Sequence, residues 1–550
     1  MHMQVFRPKI IDTLKNYSRA QLYKDVIAGI IVGIVALPLA IAFAIASGVS
    51  PEKGIFTAVV AGFIVSALGG SRVQIGGPTG AFIVVVYGIV QQYGITGLII
   101  ATFIAGILLI VMGLTRLGSV IKFIPYPLIV GFTTGIAVII FSSQVKDFLG
   151  LKMGNVPADF IGKWLAFGQH LGSINWYAVA ISAFTLFTVT LWPKVTHKIP
   201  GSLVAILVTT LVTSIVRLPI ETIGSRFGSI ASALPLPVMP RVSLQVLQQM
   251  IRPAFTIAML GSIESLLSAV VADGMTGGNH RSNTELVAQG IANICSSIFG
   301  GIPATGAIAR TATNIKNGGR TPVAGMVHAL TLLIIMLFVG KWAVLIPMPT
   351  LAGILVMVAW NMSEIDSFRF VLKGSKSDAT VLLATFLLTI FVDLTVAIEI
   401  GMILAAFLFM RKMMQTSSVL QTNLTTEDQA DNISIPELPE GVDVFEINGP
   451  LFFGAAYKFR DTMKMIENPA KVLIIRMDNV PVIDATGLRV LKDVHDEASK
   501  KGSKLILSEI SSEQVTSELQ KARLLFLIGK ANITQTFENA LKRANEILGN

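Results

Sequence analysis

Apolar residues occur in long blocks along most of this chain, and short polar segments separate the blocks. Ala28 to Ala46 and Leu98 to Leu114 are apolar on every face, and about 20 such residues are enough for a helix to cross a bilayer. A transmembrane barrel would instead show short alternating segments. The pattern therefore predicts an α-helical polytopic membrane protein whose apolar blocks run from about Asp25 to Met414.

The composition changes after the last apolar block. A polar stretch from Gln415 to Glu440 shows no apolar periodicity and is predicted to be a linker. Two strand-like and two helix-like patterns follow it, at Val442 to Ile447, Val472 to Met477, Thr486 to Ser499 and Ser512 to Ala522. We therefore expect an amino-terminal segment (1–24), a transmembrane domain (25–414), the linker (415–440) and a small α/β domain (441–550).

Composition and charge agree with a membrane location. Hydrophobic residues make up 53% of the chain and charged residues 14%, and the net charge is +10. The basic residues are scattered between spans, which does not favour a nucleic-acid partner. Those at the two ends of the membrane region indicate that both termini are cytoplasmic in the plasma (inner) membrane and that the span count is even. They are Arg7, Lys9, Lys15, Arg19, Lys24, Arg411 and Lys412. No cleavable leader pattern precedes the first span. This span is therefore expected to remain part of the protein.

Two short segments rich in glycine resemble each other. QIGGPTGAF runs from Gln74 to Phe82, and GGIPATGAIART runs from Gly300 to Thr311. Each contains Thr-Gly-Ala and is followed by too few apolar residues for a full span. This arrangement is typical of inverted repeats that each contain a discontinuous helix. The alternative is that Gly and Pro only permit close helix packing.

A helix that begins inside the membrane exposes unpaired amide groups and a positive dipole end, which attract anions. The predicted donors lie from Thr79 to Phe82 and from Gly306 to Ala309, with the hydroxyls of Thr79 and Thr305 in addition. Small residues there would let an anion approach the backbone. Arg310 is expected to add attraction, unless it pairs structurally or extends to the cytoplasmic side.

Glu264 lies within an apolar span in the string GSIESLLSA. A carboxylate inside the membrane indicates function. Three roles are open: it binds a coupling proton, it binds sodium together with Ser268, or it forms a structural pair with Arg310. The chain contains no metal-ligand cluster, nucleophile elbow or phosphate-binding loop, so an enzyme is not expected, and no cofactor is expected beyond the coupling ion.

Four strings of this sequence resemble the sulfate permease (SulP) family, to which pendrin and prestin also belong. They are ALPLAIAFAIASG (Ala36 to Gly48), GGPTGAF, ADGMTGGNHRSNTELVAQGIAN (Ala272 to Asn293) and GAIARTATN. The resemblance covers nearly the whole chain, and the terminal domain is similar to STAS domains. It implies fourteen spans in two inverted seven-span repeats, a core domain that moves against a gate domain, and a homodimer.

The resemblance also implies an anion site and a coupling position. The site residues it implies are Phe43, Thr79, Gly80, Ala81, Phe82, Gly306, Ala307, Ile308 and Arg310. Leu39 stands where many members have glutamine. Members with a carboxylate at the Glu264 position are typically cation-coupled symporters. Sodium-coupled bicarbonate relatives have aspartate there and threonine at the Ile308 position, so this chain favours protons.

In the terminal domain, the loop Val482 to Gly487 matches the loop that can be phosphorylated in anti-sigma-factor antagonists. Asp484 and Thr486 are therefore regulatory candidates, and a cytoplasmic regulatory protein is a candidate partner. The alternative is that one of the two residues caps the following helix.

The sequence thus predicts a secondary active transporter of a small anion, most simply a proton-coupled symporter. Sulfate, bicarbonate and dicarboxylates such as succinate or fumarate are the candidate substrates. A sodium-coupled bicarbonate symporter and an uncoupled anion exchanger are the alternatives. A nucleobase symporter is disfavoured because neither glycine-rich segment contains a carboxylate, and a membrane sensor is disfavoured because it would need no coupling ion.

Overall fold

The computed structural model describes residues 6–119, 124–154, 156–157, 159–196, 200–229, 233–240, 244–416, 418–421, 438–464 and 470–549. The chain forms two compact units, Met1–Ala405 and Ala406–Asn550. The first is helical, and the second contains a five-stranded sheet.

The predicted apolar blocks are helices. The helices up to the end of the membrane region are α1 (Lys9–Thr13), α2 (Arg19–Ala46), α3 (Pro51–Leu68), α4 (Phe82–Leu114), α5 (Tyr126–Leu149), α6 (Phe160–Gln169), α7 (Trp176–Val195), α8 (Gly201–Val216), α9 (Ile223–Phe227), α10 (Leu244–Thr276), α11 (Ser282–Ile298), α12 (Ile308–Lys316), α13 (Pro322–Val339), α14 (Met348–Met362), α15 (Ile365–Leu372), α16 (Lys376–Phe391) and α17 (Leu394–Thr416). Two strands, β1 (Gly76–Gly77) and β2 (Thr305–Gly306), interrupt this series.

Among the described residues, nine helices are long and apolar enough to cross a membrane, and Gly201–Val216 is a shorter apolar helix. Helix α4 is kinked at Gly94, whose φ is 68°. The segment that begins at Phe82 is therefore short, as predicted for a discontinuous helix. Helix α12 has only 9 residues. The count of fourteen spans remains a prediction.

The helices of the first unit pack in two groups. Helices α2, α3, α4 and α10 to α13 pack against one another, and we call them the core bundle. Helices α5, α7, α8, α14 and α16, with α6 against α5 and α16, form the gate bundle. One apolar cluster continues from the core bundle into the gate bundle, from Ala36 of α2 to Ile140 of α5. Contact with neighbouring helices on more than one side explains why most of these helices are apolar on several faces.

The second unit is a small α/β domain. Its sheet has the order β3-β4-β5-β6-β7, and β3 is antiparallel whereas the other pairs are parallel. Separate apolar clusters cover its two faces. The strands are β3 (Ser418–Gln421), β4 (Val442–Asn448), β5 (Val472–Arg476), β6 (Lys504–Ser508) and β7 (Ile533–Thr534), and the helices are α18 (Phe453–Lys464), α19 (Ala485–Lys500), α20 (Glu513–Lys521), α21 (Leu524–Ile528) and α22 (Phe537–Leu548).

Strand β3 corrects the predicted linker. Ser418 to Gln421 fall within the stretch expected to have no regular structure, yet they pair with Phe445 to Asn448 along β4. The added strand occupies backbone groups on β4 that would otherwise form an open sheet edge. Residues 422–437 of the predicted linker lie outside the described residues.

Candidate functional site

The two glycine-rich segments meet, as the sequence predicts for facing discontinuous helices. Strands β1 and β2 pair antiparallel, with Gly76 opposite Gly306 and Gly77 opposite Thr305. Each strand leads within a few residues to a helix that begins inside the core bundle, α4 after β1 and α12 after β2. The short ladder therefore places the amino-terminal ends of these helices side by side.

Close packing explains the glycines of this ladder. A Cβ on Gly306 would lie 1.6 Å from Gln74 Nε2. Gly77 has a φ of +152°, and a Cβ there would lie 2.5 Å from Arg310 Nη1. The sequence interpretation gave these small residues the role of admitting an anion. At Gly306 the structure shows a different reason, because the space a side chain would need is already filled by Gln74.

Ser265 on α10 anchors strand β2, and sequence reasoning missed this residue. Its Oγ accepts a hydrogen bond from Gly306 N at 3.0 Å and lies 2.7 Å from Thr305 Oγ1. Its carbonyl accepts from Gln74 Nε2 at 3.2 Å. The available signal was the hydroxyl residue directly after Glu264 in GSIESLLSA.

Thr305 was predicted to be an anion donor, and that prediction is wrong. Its hydroxyl donates to Gly261 O at 2.9 Å and contacts Ser265 Oγ, and the residue is fully buried. A hydroxyl that is committed to the backbone of α10 cannot also face a ligand. Thr305 therefore supports the ladder.

We call the part of α4 from Phe82 to the kink at Gly94 the first half-helix, and α12 the second. The turn before the first half-helix presents a small set of free backbone amides. Phe82 N donates to Thr79 O at 3.3 Å and Ile83 N donates to Gly80 O at 3.1 Å. The amides of Gly80 and Ala81 form no hydrogen bond within the described residues. A Cβ on Gly80 would lie 3.0 Å from Met362 Sδ of the gate bundle, so this helix end faces the second bundle.

The second half-helix presents fewer free amides than the sequence predicted. Gly306 N is bound to Ser265, and Ala307 N donates to Ile75 O at 2.8 Å. The first-turn amides of Ile308 and Ala309 have no intrahelical acceptor. Both residues are exposed, and Ile308 is 41% accessible. Of the residues predicted from Gly306 to Ala309, the last two are those that present amides.

Glu264 lies next to the first half-helix. Its Oε2 accepts a hydrogen bond from Thr79 Oγ1 at 2.7 Å, and its side chain is half-buried. Ser268, one turn further along α10, is buried and lies 3.3 Å from Thr311 Oγ1. The hydroxyl of Ser268 is thus directed to α12, whereas Glu264 is directed to the turn before α4.

Arg310 does not pair with Glu264. Its guanidinium is buried, and Nη2 donates to Pro78 O at 3.0 Å. No carboxylate of the described residues forms an ion pair with it, and Nη1 has no hydrogen-bond partner among them. The predicted structural pair between Glu264 and Arg310 is therefore wrong. The positive charge of Arg310 lies beside Pro78, the residue that follows β1.

Two aromatic residues of the predicted site belong to the apolar core. Phe43 of α2 and Phe82 at the start of α4 are 5% and 1% exposed and lie in the same apolar cluster. Ala81, which precedes α4, is also buried. These side chains pack together at the amino-terminal end of α4.

In the α/β domain, Asp484 caps helix α19. Its Oδ1 accepts from Gly487 N at 2.8 Å, which confirms the capping interpretation for this residue. Thr486 is half-buried in the first turn of α19.

Comparison with known proteins finds a matching family for each of the two units. Residues 22–385 match the profile of the Sulfate permease family, and residues 435–540 match the STAS domain. A putative sulfate transporter of Bacillus subtilis, YvdB, is 42% identical over 94% of this chain and 96% of its own length. The bicarbonate transporter BicA of Picosynechococcus is 32% identical over 96% of this chain and 94% of its own length.

Solved structures agree with the fold. The murine anion transporter Slc26a9 in its inward-facing state matches 99% of this chain and 94% of its own chain, with a TM-score of 0.87 and 19% identity. The transmembrane domain of a cyanobacterial BicA matches 71% of this chain and 98% of its own, with a TM-score of 0.62 and 32% identity.

Proposed function

This chain belongs to the sulfate permease family, and we propose that it is a proton-coupled symporter of a small oxyanion that works by alternating access. The anion would bind between the starts of α4 and α12. The relatives with full-length similarity are named as transporters, which agrees with transport rather than enzymatic chemistry.

The hydrogen bond between Thr79 and Glu264 carries this proposal. It places a carboxylate beside the free amides of Gly80 and Ala81. An ionised carboxylate 4 Å from a bound anion would repel it by about 4 kcal/mol at an effective dielectric of 20. Protonation removes that repulsion, so proton and anion would each raise the affinity of the other.

The same hydrogen bond offers a route for the coupling. An ionised Glu264 accepts a hydrogen bond from the Thr79 hydroxyl. A protonated Glu264 can donate to Thr79 Oγ1 instead, and the hydroxyl hydrogen is then free to turn toward an anion. Proton binding would thereby convert Thr79 from a donor to the carboxylate into a donor to the substrate.

The substrate class follows from the donors. Backbone amides at two helix ends suit oxyanions of several shapes, which supports sulfate, bicarbonate and dicarboxylates as candidates. Two relatives are named for sulfate and for bicarbonate, and these anions come first in a test.

Sodium coupling is the second candidate, because a carboxylate and hydroxyls are ligands for hard cations. The contacts favour a proton. Ser268 Oγ points to Thr311 rather than to Glu264, and Ile308 offers no hydroxyl. An uncoupled exchanger would need neither ion.

Uptake by proteoliposomes distinguishes these functions. Labelled sulfate, bicarbonate, succinate and fumarate are supplied while the proton and sodium gradients are varied separately at a fixed membrane potential. We expect one of these anions to accumulate against its gradient when the pH gradient is imposed. Accumulation driven only by sodium would select the second candidate, and counterflow without accumulation would select the exchanger.

We further infer that both termini face the cytoplasm, that the protein is a homodimer in the plasma (inner) membrane, and that the STAS domain binds a regulatory partner. The basic residues around Lys24 and Arg411 support the topology. Protease accessibility in oriented vesicles and the mass in detergent by light scattering test the first two points.

A further inference from the structure

A cavity lies between the two bundles, and neither Thr79 nor Glu264 lines it. Its volume is about 740 Å³. It lies at the end of α2 opposite the amino terminus, where Ala46 forms part of its wall. Its lining includes the exposed side chains of Gln92 and Asp393 and the buried side chain of Ile83 in the first turn of α4.

Most cations of this cavity are already bound to the protein. Arg226 donates two hydrogen bonds to Asp147, at 3.0 and 2.6 Å. Arg252 pairs with Glu399 at 3.7 Å. Lys146 and Asp159, which also line the cavity, bind backbone groups, since Lys146 Nζ donates to Gly154 O at 3.2 Å and Asp159 Oδ2 accepts from Gly162 N at 2.6 Å.

Lys163 of α6 differs from these residues. It is 5% exposed and lines the cavity. Within the described part of the chain, its ammonium group has no hydrogen-bond acceptor and no carboxylate within 4.0 Å. Its Nζ lies 5.9 Å from the ring centroid of Tyr87, which is on α4. The ammonium group therefore reaches the cavity with a tyrosine ring beside it and no acceptor from the protein, an arrangement that leaves its hydrogen-bond donors available to an anion.

The orientation of α6 strengthens this conclusion. Ile161, Trp164 and Leu165 of this helix are exposed, at 60%, 41% and 63%, whereas Lys163 and Phe167 are buried. A helix that only covered the protein in water would turn its lysine outward and its apolar residues inward. Here the apolar face points away from the protein and the lysine points into the cavity.

We propose that Lys163 and the cavity wall at Tyr87 form a second binding site for a small anion, on the path to the start of α4. The inference rests on the proposed function, because it assigns an entry or exit position to the same substrate. Tyr87 and Ile83 are four residues apart on α4, which is about 6 Å along the helix axis. The tyrosine that Lys163 faces is therefore about one helical turn from the first turn of α4.

Because Lys163 is on the gate bundle and Tyr87 is on the core bundle, the site exists only while the two bundles are close together at this end. Movement of one bundle against the other would change the distance between the ammonium group and α4. An anion held by Lys163 is then released when the bundles separate or passed on toward the α4 end.

Uptake kinetics provide the first test. Lys163→Met keeps the length of the side chain and removes its charge, and Lys163→Arg keeps the charge. We expect the methionine variant to raise the KM for anion uptake at least severalfold while the maximal rate changes less than twofold, and the arginine variant to restore the KM. Lys146→Met is the matched control, because it removes a cation from the same cavity that already has a protein partner, and its KM should stay at the wild-type value.

A binding measurement separates this inference from the proposed function. Purified wild-type protein in detergent is treated with acetic anhydride, with sulfate or succinate present at an ionic strength held constant with gluconate. Modification of Lys163 and Lys146 is then quantified by mass spectrometry. We expect the anion to slow modification of Lys163 selectively.

The outcomes are distinguishable. Protection of Lys163 without uptake of any anion would overturn the transport proposal and leave the second site standing. Uptake with equal KM values for wild type and Lys163→Met, together with no protection by sulfate or succinate, would overturn the second site.

Discussion

Thr79 Oγ1 lies 2.7 Å from Glu264 Oε2, and this hydrogen bond joins the turn before α4 to the middle of α10. Both residues belong to the core bundle, so the contact is not expected to break when the bundles move against each other. A carboxylate held in this way stays next to the proposed anion position throughout a transport cycle. Changes at either residue therefore test the coupling directly.

Glu264→Gln should uncouple the transporter. Glutamine imitates the protonated carboxyl group and removes a repulsion of about 4 kcal/mol at 4 Å. The variant should bind and exchange anion but should not concentrate it when a pH gradient is imposed. Uptake and binding at fixed membrane potential provide the measurement, with Glu399→Gln as a matched control because that carboxylate pairs with Arg252. Concentrative uptake by Glu264→Gln equal to wild type would make Glu264 structural.

Thr79→Val should weaken the link between proton and anion binding. Valine keeps the β-branched shape of threonine and lacks the hydroxyl that contacts Glu264. Wild-type affinity for the anion should increase as the pH falls, and this dependence should be smaller in Thr79→Val and restored in Thr79→Ser. Isothermal titration at several pH values measures the effect. An unchanged pH dependence in the valine variant would remove Thr79 from the coupling.

Gly306→Ala should destabilise the site through Gln74. The added Cβ would lie 1.6 Å from Gln74 Nε2, which is itself bound to Ser265 O. We expect a loss of about 1–3 kcal/mol, as is typical of overpacking. Thermal unfolding in detergent measures it, and Gln74→Ala in the same chain should recover part of the loss.

Gly88→Ala is the matched control for that experiment, because a Cβ there would meet no heavy atom within 4 Å. Its melting temperature should equal or exceed that of the wild type, because alanine favours a helix interior more than glycine does. If Gly306→Ala unfolds at the same temperature as Gly88→Ala, the ladder tolerates a side chain and the steric argument is wrong.

The α/β domain should fold alone, and strand β3 should contribute to its stability. A fragment from residue 416 retains the pairing of Ser418 to Gln421 with β4, whereas a fragment from residue 438 exposes that edge. We expect both fragments to unfold cooperatively and the longer one to have the higher melting temperature and less self-association. Calorimetry and light scattering measure these properties, and equal behaviour of the two fragments would show that β3 is dispensable.

Asp484→Ala should remove the cap of α19 and destabilise the isolated domain by about 1 kcal/mol. Thr486→Ala should cost less, because the Thr486 hydroxyl does not hold the helix end. Urea titration of the two variants measures the difference. A larger loss for Thr486→Ala would reverse the assignment of the cap.

The sequence predicted the features that depend on composition and local pattern. The apolar blocks became helices, and the two Thr-Gly-Ala segments met at the predicted helix ends. The strand pairing within the site could not be predicted from local pattern. Strands β1 and β2 have two residues each, so neither shows the alternation that identifies a strand. The partner of each is set by tertiary contacts.

Polar side chains were the other source of error. Thr305, Ser265 and Arg310 could each have faced a ligand or the backbone, and sequence spacing does not distinguish these orientations. The structure directs Thr305 and Ser265 to each other and Arg310 to Pro78 O. Strand β3 was missed because four residues at a sheet edge contain little apolar signal.

The ladder between β1 and β2 has a consequence for biogenesis. Ile75 N donates to Thr311 Oγ1, and these residues are 236 positions apart in the chain. During synthesis, the first glycine-rich turn enters the membrane long before the second exists, and its backbone groups find no acceptor in lipid. The backbone of the first glycine-rich turn must therefore be kept out of lipid until the second turn has been made. Substitutions in α10 or β2 can then reduce the yield of inserted protein, even though they are remote from the first turn in sequence.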